Sequence, residues 1–223
     1  MQSDRKHWNE QQKVFHTTLL SFKQHDQAMA LFVQQHAALH SAKLTSGIPW
    51  SFEDEVLDDM TEAHIRRIPQ NCDYSVAWHI WHLARIEDIT MNLLLAGKPQ
   101  LFTREDWQAR LNVPVVDTGN AMTQDEVAAL SAALNLAALR EYRLAVGRET
   151  RANVTGLAPE MFRQKVDPAR LQQVMDQGAV VEAARGIVEY WGRRTLAELL
   201  LMPPTRHNLV HLNMALRLKQ RRQ

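Results

Sequence analysis

The spacing of apolar residues along the chain is helical almost throughout. Between Trp8 and about Ala42, the residues Phe15, Leu19, Phe22, Met29, Phe32 and His36 recur at steps of three, four or seven, which predicts one long amphipathic helix. Gly47, Pro49 and Pro69 interrupt the pattern before Ser75, an N-cap candidate, opens the run SVAWHIWHLARIEDITMNLLLA, which Gly97 is placed to stop. Thr103 to Asp106 and Thr123 to Glu126 both carry the S/T-x-x-acid spacing in which hydroxyl and acid satisfy amide donors at a helix start. The first predicts a short helix over FTREDWQARL. The second predicts a longer one with Val127, Leu130, Leu134, Ala138 and Tyr142 on one face. Residues 150 to 180, of mixed charge around Pro159 and Pro168, read as short helices in an inserted segment. Val180 to Leu201 is helical in pattern again, and after Pro203 and Pro204 the hydroxyl of Thr205 can cap a final helix running towards Lys219. The expected fold is all-α: four principal helices near 8–42, 75–96, 123–147 and 205–220, with short helices in the connections, forming a single bundle over 1–223.

Composition supports this class. Gly and Pro number 8 each in 223 residues, about 7% together where about 12% is usual, which disfavours a many-stranded sheet. With 26 Lys+Arg against 25 Asp+Glu, the net charge of +1 offers no electrostatic footprint for nucleic acid. The locally basic end (Arg217, Lys219, Arg221, Arg222) reads as a complement to helix C-terminal carbonyls. No run of about 18 apolar residues is present to span a membrane. The single cysteine, Cys72, excludes an intramolecular disulfide, and the polar start MQSDRKHWNE lacks a signal-peptide core, so a cytoplasmic protein is expected.

Several enzyme classes fall by inspection. The glycines form no G-x-G-x-x-G, P-loop or G-x-S-x-G arrangement, and no Glu-x-x-His pair exists for a ferritin-like di-iron bundle. Histidine is the unusual feature, with ten in the chain. His207 and His211 stand four apart on the last helix, so both imidazoles project from one face and can grip one ion. Asn208 occupies the place that glutamate holds in the zincin H-E-x-x-H, so that pair lacks a protease base. A third ligand is sought in WHIWHLARIED, where His82 shares its face with Trp78, Ile86, Ile89 and Leu93 and must point into the bundle. Met214 and Leu218 suggest that His207 and His211 lie on the apolar side of their helix. His36 and His40 repeat the four-residue spacing, with His25 near their seam, and His79 precedes His82 by one turn. Spacing alone cannot choose among these, and the bland alternative is histidines satisfied in a core. Glu87 and Asp88, about 140° and 120° from the His82 face, are placed to hold neighbouring helices. Arg85, about 60° away, could reach an anionic substrate or form a structural ion pair. Cys72 is an imaginable nucleophile, and Trp78 and Trp81 read as core, though Trp81 could line a ligand pocket.

The run S-V-A-W-H-I-W-H-L-A-R-I-E-D from Ser75 to Asp88, together with R-H-N-L-V-H-L-N from Arg206 to Asn213, resembles the DinB-like superfamily. That group includes thiol-dependent S-transferases and mycothiol-dependent maleylpyruvate isomerases. The resemblance implies a four-helix bundle, often dimeric, with a divalent metal held by three histidines, here His82, His207 and His211. It also implies a small-molecule substrate and a low-molecular-weight thiol as co-substrate. Zinc and nickel are the metals first expected, with iron after them. A metal-bound water acting as nucleophile would instead make a hydrolase, and against both enzymatic readings stands a non-catalytic binding or stress-response protein whose metal site is structural or vacant. The discriminator is coordination, since a structural site is closed by a fourth protein ligand and a catalytic site keeps an exchangeable position.

Overall fold

A computed structural model describes residues 2–221. The helices are α1 (Gln2–Ser21), α2 (His25–Ala37), α3 (Phe52–Leu57), α4 (Glu62–Arg66), α5 (Val76–Asp88), α6 (Leu101–Arg104), α7 (Trp107–Leu111), α8 (Gln124–Ala133), α9 (Leu136–Thr155), α10 (Pro168–Asp176), α11 (Gly186–Gly192), α12 (Leu196–Leu200) and α13 (Asn208–Gln220). A π-helical stretch, Ile89–Ala96, continues α5, and another, Met202–His207, leads into α13. Among the described residues there is no strand beyond one isolated bridge between Lys165 and Thr195. The all-α expectation holds.

The first expected helix is two. The chain turns at Phe22, whose φ of +55° lies in the left-handed region, and α1 and α2 then pack side by side. The apolar stripe spans the turn because both halves face the same interior: the Phe15 and Phe32 rings lie 6.1 Å apart. Periodicity reports which face is buried and is blind to a reversal between whole turns. The third expected helix is likewise two, since Asn135 accepts from the Ala138 amide and starts α9 afresh, while α9 runs on to Thr155. FTREDWQARL forms α6 and α7, broken by Asp106 at φ +53° with no side-chain cap. Thr205 does not cap the last helix. It is buried within the π-helical stretch, where its hydroxyl donates to the Leu200 carbonyl at 2.8 Å. Other sequence signals hold as read: Ser75 accepts from the Trp78 amide, Thr123 and Glu126 form a full capping box, and Gly97 ends its helix at φ +65°.

α5 is the central element. All thirteen of its residues are buried, as befits a helix packed against α9, α13, α4 and α8. One apolar cluster joins Trp81 and Leu83 to Tyr142, Leu209 and Leu212. A second joins Phe15 and Phe32 to Ile89, Leu94, Val154, Trp191 and Leu199, so the short helices after residue 155 cover the π-helical extension of α5 and the α1–α2 pair. At the basic end, Lys219 donates to the carbonyls of Glu55 and Asp58 at the end of α3, the helix-terminus role expected of these cations. Arg222 lies outside the described residues. Among the described residues no helix is long and apolar enough to cross a membrane.

Candidate metal centre

His82 lies in the middle of α5, His207 ends the π-helical stretch, and His211 sits in the first turn of α13. Packing of α13 along α5 brings the three together, with a ligand-capable atom of each within 4.8 Å of the others. The Nε2 atoms of His82 and His207 face each other at 3.2 Å. Neighbouring ligands of a tetrahedral ion, bonded at about 2.0–2.1 Å, stand roughly 3.3 Å apart.

The surroundings prepare His82 as a ligand. Its Nδ1 lies 2.6 Å from the Thr118 carbonyl, an acceptor only, so Nδ1 carries the proton and donates while Nε2 keeps its lone pair. The Trp78 ring stacks on the imidazole with centroids 4.6 Å apart and planes within 8°. Gly119 supports the same loop: at φ +75° a Cβ would meet Trp81 Cζ3 at 2.5 Å. His79, expected as a competing ligand, lies behind His211 instead, their Nδ1 atoms 2.9 Å apart. One of these nitrogens donates to the other, which leaves His211 Nε2 free for an ion when His211 is the donor.

Burial shapes the charge of the group. It pushes His82 down to about 4, the Thr118 carbonyl opposing in part, and pushes His79 down to about 3, aided by His82. Burial, with neighbouring histidines, also holds His207 and His211 well below the ordinary range. At neutral pH the imidazoles are therefore uncharged, the state that ligates a metal. His82 is 1% exposed, whereas His207 and His211 are half-buried. The expectation for Met214 is corrected here: it is 41% exposed, and the buried stripe of α13 is Asn208, Leu209, Leu212 and Ala215. His207 and His211 thus lie where that stripe meets solvent, at the mouth of the group.

A second group, His36, His40 and Glu87, is wholly buried and also close enough to hold an ion. Its bonding favours another reading. His36 Nε2 meets Glu87 Oε1 at 2.8 Å and His40 Nε2 meets Oε2 at 3.2 Å. Both Nδ1 atoms are buried without a partner. With protons on Nε2, the orphans are acceptors. An ion on Nε2 would displace the hydrogen bond that each imidazole makes to Glu87. Arg143 Nη1, 3.3 Å from Oε2, adds a positive charge on the same carboxylate. Burial raises Glu87, but the His40 and His36 imidazoles bonded to it outweigh burial and hold its carboxyl well below the usual range.

The remaining candidates have structural partners. Arg85 is buried and donates to Asp88, the Tyr142 hydroxyl, Gln100 and the Val116 carbonyl, with its guanidinium 3.9 Å over the Phe102 ring. Asp88 accepts from the Leu101 and Phe102 amides at the start of α6, and Tyr142 donates to it at 2.6 Å. Trp78 and Trp81 are both buried. His25 bonds Asp26 and packs on Phe162. Cys72 belongs to neither group and accepts from Arg221 at 2.9 Å. Sequence spacing missed the Thr118 carbonyl altogether, because a backbone acceptor leaves no residue-type signal.

The fold and its three convergent imidazoles define an all-α bundle with a candidate metal centre between its central and last helices. The sequence profile of the DinB superfamily matches residues 54–214, and the chain belongs to that superfamily. Among solved structures the chain is similar to a conserved protein of Enterococcus faecalis, at 20% identity and TM-score 0.53, over 85% of this chain and 95% of that one. This is a likeness of fold alone. No curated protein matches the sequence.

Proposed function

We propose that the chain holds a divalent metal ion, zinc or nickel before iron, on His82, His207 and His211, and that it is a thiol-dependent S-transferase or isomerase acting on a small electrophilic substrate. The observation that carries the metal reading is the His82 tautomer. His82 Nδ1–H donates to the Thr118 carbonyl, so the Nε2 lone pair faces His207 Nε2 at 3.2 Å. When bound, a divalent ion supplies the positive charge that lowers a thiol's pKa and favours the nucleophilic thiolate. The protein's own residues bind and orient. Thr118 fixes the His82 ring, His79 backs His211, and the stacked Trp78 keeps water from one side of His82.

Coordination supports a catalytic reading over a structural one. Of the other histidines considered as ligands, His36 and His40 are bonded to Glu87 and His79 to His211. His207 and His211 are half-buried, unlike His82. The same reading includes a homodimer, which light scattering on the purified protein checks.

The test is metal analysis of protein purified without a histidine tag, comparing wild type with His82→Ala, followed by thiol titration of the cobalt-loaded form. About one metal per chain, lost in the variant and with visible bands that shift on adding thiol, supports the proposal. No metal after reconstitution overturns the metal reading. A metal whose spectrum ignores thiol overturns the thiol chemistry and leaves a structural or hydrolytic site.

A further inference from the structure

Glu87 accepts hydrogen bonds from four places in the fold. His36 donates from α2 at 2.8 Å, His40 from the turn that follows at 3.2 Å, Arg143 from α9 at 3.3 Å, and Asn208, the first residue of α13, at 2.8 Å. Exposure of the Glu87 side chain is 0%. Asn208 Nδ2 also donates to the Pro204 carbonyl at 3.2 Å, within the π-helical stretch that ends on His207. One carboxylate therefore ties α5, five residues beyond His82, to α13, one residue beyond His207. The links to His36 and His40 reach residues outside the stretch 54–214 that the superfamily profile matches.

We propose that Glu87 is a positioning residue for the metal centre: through Asn208 it sets the rotation and height of α13 against α5, and hence the His82–His207 separation, while α2 and the turn after it hold the carboxylate in place. The inference rests on the metal reading above. Hydrogen bonds to a desolvated carboxylate are short and directional, and a π-helical turn stays in register only while its freed carbonyls find donors. Asn208 answers both needs with one amide. Its loss leaves all three imidazoles in the chain but frees the segment that carries His207 to shift. Groups that orient a ligand typically govern metal affinity by about 10–100-fold, and Asn208 acts one step further out, through the backbone of the segment that carries His207.

The experiment uses cobalt-loaded full-length protein and follows both the visible bands and the rate of metal transfer to a chelator. Asn208→Ala is expected to keep one metal per chain, to release it about 10–100-fold faster, and to alter the bands. Asn208→Ser, a milder change, serves if the alanine variant does not fold. Asn153→Ala is the control: it removes bonds of the same kind, to Asn92 and the Met91 carbonyl, from the far end of α9. It is expected to lower the melting temperature and leave release unchanged. Unaltered release and bands in the Asn208 variants, or equal acceleration in Asn153→Ala, overturns the positioning role while metal binding stands. Absence of metal from the wild type overturns the metal reading and this inference with it.

Discussion

His82 and His207, 125 positions apart in the sequence, face each other through their Nε2 atoms at 3.2 Å, and the Thr118 carbonyl behind His82 decides which of its nitrogens is free. Without an ion, neutral His207 meets the His82 lone pair as an Nε2–H donor; with one, both Nε2 lone pairs turn to the metal and the His207 proton moves to Nδ1.

The ligand assignment predicts a sharp division among the histidines. His207→Ala and His211→Ala are expected to abolish stoichiometric metal binding, whereas His36→Ala and His40→Ala keep about one metal per chain. The latter pair should show their effect in stability, by about 1.5–3 kcal/mol each, the range for a hydrogen bond to a charged group. Elemental analysis and urea unfolding read the two effects separately. Metal lost from the second pair and kept in the first would reverse the assignment.

Stability should depend on pH in a definite direction. The folded pKa of His82, about 4, lies below its ordinary value of 6.5, so between these pH values the unfolded chain binds more protons. The contribution of His82 is therefore complete above pH 6.5 and is lost as pH falls towards 4, on the order of 3 kcal/mol at 1.36 kcal/mol per unit. His40 and His79, each held near 3 by burial, act in the same sense. Urea midpoints of the apoprotein at pH 7.5, 6, 5 and 4.5 should fall steadily from about pH 6.5 downwards. A flat profile would mean that the imidazoles are hydrated.

Gly119→Ala tests the loop that orients His82. The φ of +75° disfavours any side chain, and the new Cβ would overlap Trp81 Cζ3, a ring with no freedom to move. A cost of about 1–3 kcal/mol is expected. The Thr118 carbonyl should shift with the loop, weakening metal retention measured by chelator competition. A stable variant with unchanged retention would show that the carbonyl is dispensable.

Arg85→Ala should act on the fold rather than on the metal. It strips four hydrogen-bonded neighbours of a buried cation and leaves Asp88 without that cation, a loss of about 3–5 kcal/mol. Thermal unfolding should report this, while the fraction that remains folded keeps its metal. Unchanged stability with altered substrate use would instead return Arg85 to the role of substrate anchor.

The amino-acid sequence by itself determined the helical class, the caps at Ser75 and Thr123, the stop at Gly97, and the shared face of His207 and His211. All of these are set by neighbours within a turn or two, where spacing translates directly into geometry. Only the tertiary structure decided that the first and third long stripes are each two helices, because a stripe reads the same across a turn that keeps both halves facing one core. Only it could place Thr118 behind His82, His79 behind His211, and His36 and His40 on Glu87. Those pairings join positions 36, 132, 51 and 47 residues apart, and they exist because α5 is buried on every side by helices drawn from the whole length of the chain.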